Sequence, residues 1–127
     1  MQSKELLHSL NLSTFTALDF ETTGLDPNSD RIIEIAAIRF EHGEMVDRFV
    51  SLVNPCIDIP NLITEITGIS NSMVHKSPKE SEIIDDFLSF LGDFPLVAHN
   101  IRFDEQFLSR LCLRNEKEEN NFLFRYC

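Results

Sequence analysis

Positive charge is scarce in this chain. Eleven Lys and Arg stand against 21 Asp and Glu, for a formal net charge of −10. That balance excludes a broad basic surface of the kind that tracks a nucleic-acid backbone by counterion release. Cysteine is also sparse. Cys56, Cys112 and Cys127 are odd in number and lack C-x-x-C spacing, so the sequence builds neither a zinc knuckle nor a disulfide framework. Cys112 falls on an apolar helix face and is expected in the core. No apolar run is long enough to cross a membrane. Leu6, Leu7 and Leu10 form a short helix stripe rather than a secretory segment, and the cytoplasm is the default location. Internal repeats, low-complexity tracts and linkers are also lacking. What remains, with 127 residues, 43% hydrophobic content and eleven Phe, is one domain, 1–127, with a sizeable core.

The order of elements points to an α/β fold. Residues 15–21, 31–40 and 48–53 read as three successive strands joined by short turns. The apolar run Ile32, Ile33, Ile35, Ala36, Ala37, Ile38 predicts a strand buried on both faces. Glu34 interrupts it and receives no function. A short helix over 61–67 ends at Gly68. Ser77, Pro78 and Glu80 form a capping box with proline at the first helical position. The helix they open turns Ile83, Ile84, Phe87, Leu88 and Leu91 inward and stops at Gly92. Met73 is grouped with the core. Arg31, Arg39, Arg48 and Arg102 are scattered, most of them as surface residues, and the charged run 114–121 reads as a solvated turn.

Chemistry concentrates at Asp19-Phe20-Glu21-Thr22-Thr23-Gly24-Leu25. Side chains two apart on a strand point the same way, so Asp19 and Glu21 share a face. Two hard carboxylates on a rigid strand suit Mg²⁺ or Mn²⁺. The bland meaning of acid-x-acid is a solvated strand end; the Thr-Thr-Gly-Leu continuation, in which Gly24 lets backbone approach a ligand closely, argues against it. A second motif runs Val97-Ala98-His99-Asn100-Ile101-Arg102-Phe103-Asp104. Residues 96–98 form a short buried strand, and a helix follows with Phe103, Phe107, Leu108, Leu111 and Cys112 on one side. Asn100 is its N-cap, which puts Asp104 in the first turn, where the helix dipole favours a carboxylate.

Together these residues resemble the DEDD superfamily of 3′–5′ exonucleases, most closely the DEDDh-type proofreading domain of the DNA polymerase III epsilon subunit. Arg31-Ile32-Ile33-Glu34-Ile35, Val53-Asn54-Pro55 and Ile66-Thr67-Gly68-Ile69 lie between the two motifs in the order the family shows. The resemblance implies a ribonuclease H-like mixed sheet flanked by helices. It makes Asp19, Glu21 and Asp104 the first three metal acids, holding Mg²⁺ or Mn²⁺ in what is a two-metal site in the intact family. Thr22, Thr23, Gly24 and Leu25 match the segment against the terminal nucleotide, with Leu25 as a wedge, and His99, Asn100 and Phe103 shape the same pocket. The net negative charge is compatible with this, because metals offset local acids and the family grips only a few terminal nucleotides.

The family also places a His, and a fourth Asp five residues on, well after the third acid. Three histidines here have an acid at i+5. His42 with Asp47 reads as a solvent-facing hairpin pair, His75 with Glu80 straddles a helix start, and His99 with Asp104 is already used. None supplies the missing pair. The expectation is therefore a domain truncated before its last motif, lacking the C-terminal part of the fold. The alternating segment 122–127 would be an unfinished edge strand inviting self-association. Such a half-site would bind metal but hydrolyse poorly. The expected function is metal-dependent removal of nucleotides from a single-stranded or frayed 3′ end of DNA or RNA, with a DNA polymerase subunit as candidate partner and no membrane. The competing class is a catalytically incomplete nucleic-acid-binding or polymerase-associated module.

Overall fold

The structure is a computed structural model that describes residues 13–118 and Phe122. Four strands form one mixed sheet: β1 (Thr14–Thr22), β2 (Ile32–Glu41), β3 (Glu44–Leu52) and β4 (Leu96–Val97), in the order β3-β2-β1-β4. β1 and β3 flank β2 antiparallel, and β4 lies parallel to β1. The helices are α1 (Asn61–Thr67), α2 (Asn71–His75), α3 (Glu80–Leu91) and α4 (Ile101–Arg114). The expected α/β architecture with a mixed sheet is thus observed.

β2 and β3 meet in a tighter turn than the sequence suggests. His42 and Gly43 both take positive φ, 51° and 84°, as a two-residue hairpin of the favoured twist requires. β3 therefore begins at Glu44 rather than 48. Burial along β2 also corrects the expectation of a strand covered on both sides. Ile32 and Ile33 are both buried, but beyond them Ile35 and Ala37 are buried while Glu34, Ala36 and Ile38 are only half-buried. The reason is where the cover lies: Ile33 packs on Ile59, Ile69 and Val74, and beyond it Ile35 and Ala37 are the β2 residues that pack in the core with α3 and α4.

The covered face holds the main core. Leu18 and Phe20 of β1 and Ile35 and Ala37 of β2 pack with Ile84, Phe87 and Leu91 of α3 and Phe107, Leu108 and Leu111 of α4. Cys112 is fully buried there, as expected. A smaller cluster joins Ile33 to Ile59, Ile69 and Val74, fastening the α1–α2 segment to the sheet. Phe122 packs against the main core; the rest of the anticipated C-terminal strand lies outside the described residues.

Three local expectations change. α3 begins at Glu80, capped by Lys79, whose N–H donates to Glu82 at 2.9 Å; Pro78 is not its first residue. Lys79 is instead extended: Asn54 N–H donates to the Pro78 carbonyl at 2.8 Å and Asn54 bridges Lys79. Met73 is 44% exposed rather than core, since the short α2 buries only Val74. Arg39 is no surface residue: it is half-buried between the rings of Phe90 and Phe94, 4.2 and 4.0 Å from their centroids, and donates to the Phe90 carbonyl. Arg114, at the head of the charged run, is not merely solvated either, because it makes a two-pronged pair with Glu80 at 2.9 and 3.0 Å. Among the described residues no helix is long and apolar enough to span a membrane.

Candidate active site

Alternation along β1 separates core from chemistry one residue at a time. Leu18, Phe20 and Thr22 are buried, whereas Asp19 is exposed and Glu21 half-buried on the open face. Directly opposed residues of an antiparallel pair share a face. Glu21 opposes Glu34 and Asp19 opposes Ala36, so Glu34 joins the two strand acids on that face. Burial pushes the Glu21 carboxyl above its ordinary range, and the charges of Asp19 and Glu34 add to the effect. Glu34, to which the sequence assigned no function, is therefore part of the electrostatic environment. The cross-strand register is the signal that finds it.

Asp104 reaches the same place from another element. β4 pairs with β1 only at Thr16 and Ala17, and among the described residues the rest of that β1 edge has no neighbouring strand. The Asp104 carboxylate fills the gap: its Oδ1 accepts from the Phe20 N–H at 3.1 Å. Asn100 caps α4 by accepting from Phe103 N–H at 3.4 Å, which fixes the first turn and aims Asp104 at the strand. Asp104 is 3% exposed. Desolvation raises its pKa to about 6; the charges of Asp19 and Glu21 push the same way, against the Phe20 hydrogen bond.

Asp19, Glu21 and Asp104 are thus brought within electrostatic reach of one another. All their donors are hard carboxylate oxygens, and their mutual repulsion is what a divalent cation would relieve. They fit Mg²⁺ or Mn²⁺ in donor chemistry. Among the described residues, however, no three His, Cys, Asp or Glu side chains stand close enough together to hold a metal ion as they are placed.

The turn after β1 carries the remaining candidates. Leu25 stands 85% exposed at its crest, while Thr22 and Thr23 are 7% and 2% exposed. The Thr22 hydroxyl donates to the Gly24 carbonyl at 2.6 Å, and that of Thr23 to Asp30 at 2.8 Å. Both threonine side chains therefore brace the turn, and Leu25 is the side chain it displays. His99 and Asn100 are exposed and Phe103 half-buried against Phe107, with ring centroids 4.8 Å apart. All three sit at the start of α4, one turn or so from Asp104. His42 lies in the β2–β3 turn, at the end of the sheet away from Glu21, and His75 lines a separate cavity with Cys56 and Asp58.

An α/β sheet with two acids on its central strand and a third at a helix start is the layout of a nuclease of the exonuclease class. The family model described as RNase_T, Exonuclease, matches residues 16–126, and the chain belongs to that family. It is 46% identical over 96 residues to the PolC-type DNA polymerase III of Thermotoga maritima, covering 76% of this chain and 7% of that protein. Against the Bacillus subtilis PolC-type polymerase it is 40% identical over 114 residues, 87% of this chain and 8% of the relative. The chain thus spans under a tenth of the length of these relatives. Among solved structures, E. coli exonuclease I in complex with a dA16 oligonucleotide superposes with a TM-score of 0.74 at 25% identity, covering 84% of this chain and 25% of that one. An apo exonuclease I structure, at 23% identity and a TM-score of 0.76, covers 91% and 28% and supports the fold.

Proposed function

We propose that this domain removes nucleotides from the 3′ end of a single strand, most naturally DNA, with Mg²⁺ or Mn²⁺ held by Asp19, Glu21 and Asp104. The observation that carries the reading is a buried helix-start carboxylate hydrogen-bonded to the same strand that presents Asp19 and Glu21, near enough for their charges to bear on it. Nothing in a core needs that arrangement, and a phosphodiester-cleaving site does. The PolC-type relatives and the oligonucleotide-bound exonuclease I neighbour support DNA as substrate and a replicative polymerase as partner. A nuclease of this kind meets its substrate in the cytoplasm, where we place the protein.

A divalent cation here would polarise the scissile phosphate and neutralise developing charge. The chain's own residues do the positioning. Asp19 and Glu21 offer oxygens from a strand whose alternate residues are locked in the core, so they are pre-positioned. Asp104 is tied to the same strand through Phe20 and moves with it. Leu25, with the Gly24 backbone beside it, meets the terminal base, and His99, Asn100 and Phe103 close the other side.

The test is nucleotide release from 3′-labelled and 5′-labelled oligonucleotides in Mn²⁺, for wild type, Asp19→Ala and Asp104→Asn. Early release of the 3′ label, abolished by either substitution, is expected. Release that begins at the 5′ label, or that survives both substitutions, would overturn the reading. Binding of a 3′ end without cleavage by wild type would favour the non-catalytic module.

A further inference from the structure

We infer that Asp30 is a positioning residue that sets how the domain grips the terminal nucleotide, by holding the Gly24–Leu25 crest in place. The inference rests on the exonuclease reading above. It assigns a role to a residue that neither lies among the three metal acids nor belongs to the Thr22–Leu25 motif.

The two oxygens of Asp30 are spent on the two sides of the crest. Oδ1 accepts from the Thr23 hydroxyl at 2.8 Å, just before Gly24–Leu25, and Oδ2 accepts from the Asp26 N–H at 3.0 Å, just after. The carboxylate lies flat against Gly24: a Cβ there would come within 2.4 Å of Oδ2 and 2.7 Å of Cγ. Gly24 is thus explained by close approach of the Asp30 side chain, and the pair interlocks. Asp30 is itself anchored, because its N–H donates to the Asp26 carbonyl at 2.7 Å. The backbone of its neighbour Arg31 is bonded twice to Thr23: its carbonyl accepts from Thr23 N–H at 2.9 Å, and its N–H donates to the Thr23 hydroxyl at 3.0 Å. Thr23 is accordingly buried while Leu25, two residues on, is 85% exposed.

A leucine held in water by a fully engaged carboxylate is pre-organised. Its conformational entropy has been removed before substrate arrives, which lowers the cost of binding. Loosening the crest should weaken capture of the 3′ terminus and leave bond cleavage largely intact. That separates Asp30 from the metal acids, whose loss acts on the chemical step.

Asp30→Asn keeps the shape and the acceptor for Thr23 but presents an amide to the Asp26 N–H; Asp30→Ala removes both acceptors. Steady-state hydrolysis of a 3′-labelled oligonucleotide should show KM rising on the order of tenfold for Asp30→Ala and less for Asp30→Asn, with kcat within about twofold. The decisive arm is a double-mutant cycle. If Asp30 acts through Leu25, then Asp30→Asn added to Leu25→Ala should raise KM no further. Additive effects, an unchanged KM, or a fall in kcat that tracks lost thermal stability would overturn the inference. Failure of the exonuclease reading would show differently, as wild-type protein that neither binds nor trims a 3′ end before any change at Asp30, and it would remove this role with it.

Discussion

The two faces of the sheet are made from the same strands but do opposite work. On the covered face Leu18, Phe20, Ile35 and Ala37 are at most 3% exposed and pack under two helices. On the open face their immediate neighbours Asp19, Glu21, Glu34 and Ala36 meet water or one another. A period of two lets each core residue fix the backbone of the acid beside it. The lesson is a division of labour: substitutions on one face should cost stability and those on the other should cost chemistry, with Asp104 tied to both.

The largest effect should come from the open face. Asp19→Ala is expected to lower the rate of 3′-nucleotide release by about 10²–10³-fold, the scale of losing one pre-organised electrostatic group. Because Asp19 is exposed, chemical denaturation should place that variant within about 0.5 kcal/mol of wild type. A large stability loss would break the division. On the covered face, Phe87→Ala removes a fully buried ring and should cost about 3–5 kcal/mol in urea unfolding. The rate per folded molecule should not change; a matching loss of kcat would show that the two faces are coupled.

Asp104 sharpens the comparison through pH. Its folded-state pKa is raised from 3.8 to about 6, so its contribution to stability is fully present below about pH 4 and is lost as pH rises through 6. The raised value corresponds to roughly 3 kcal/mol at neutral pH. Metal-free wild type should therefore lose stability between pH 4 and 7 relative to Asp104→Asn, whose profile should be flatter there. Parallel profiles would contradict the burial-driven shift. The smallest effect belongs to Glu34→Gln. Removing its charge should bring the Glu21 titration, followed by NMR, back toward the ordinary range with little change in stability. An unmoved Glu21 would take Glu34 out of the site.

Much of this was legible beforehand because it rests on short-range pattern. The acid pair on β1, the Asn100 cap and the inward stripe of α3 follow from alternation, capping chemistry and helical period, and all are observed. Pairing between distant segments was not legible. The Asn54–Lys79 bridge delays the start of α3, and the early divergence of β4 gives the Phe20 N–H to Asp104. Arg39 between Phe90 and Phe94 joins residues some fifty positions apart, which no local rule reaches. Ser70, accepting from Met73 N–H at 3.3 Å, was a local signal for α2 that could have been read. Glu34 and Asp30 needed the register and the folded turn, respectively, before their partners could be named.

The central claim is that carboxylates from the open face and from the α4 start act as one cation site. Thermal melting in a Mn²⁺ titration tests it most directly, because a ligand that binds only the folded state stabilises it by about 2.7 kcal/mol at a hundred times its Kd. The wild-type melting temperature should climb with Mn²⁺, and the climb should vanish separately in Asp19→Ala, Glu21→Ala and Asp104→Asn. An equal rise in wild type and all three variants would contradict the account.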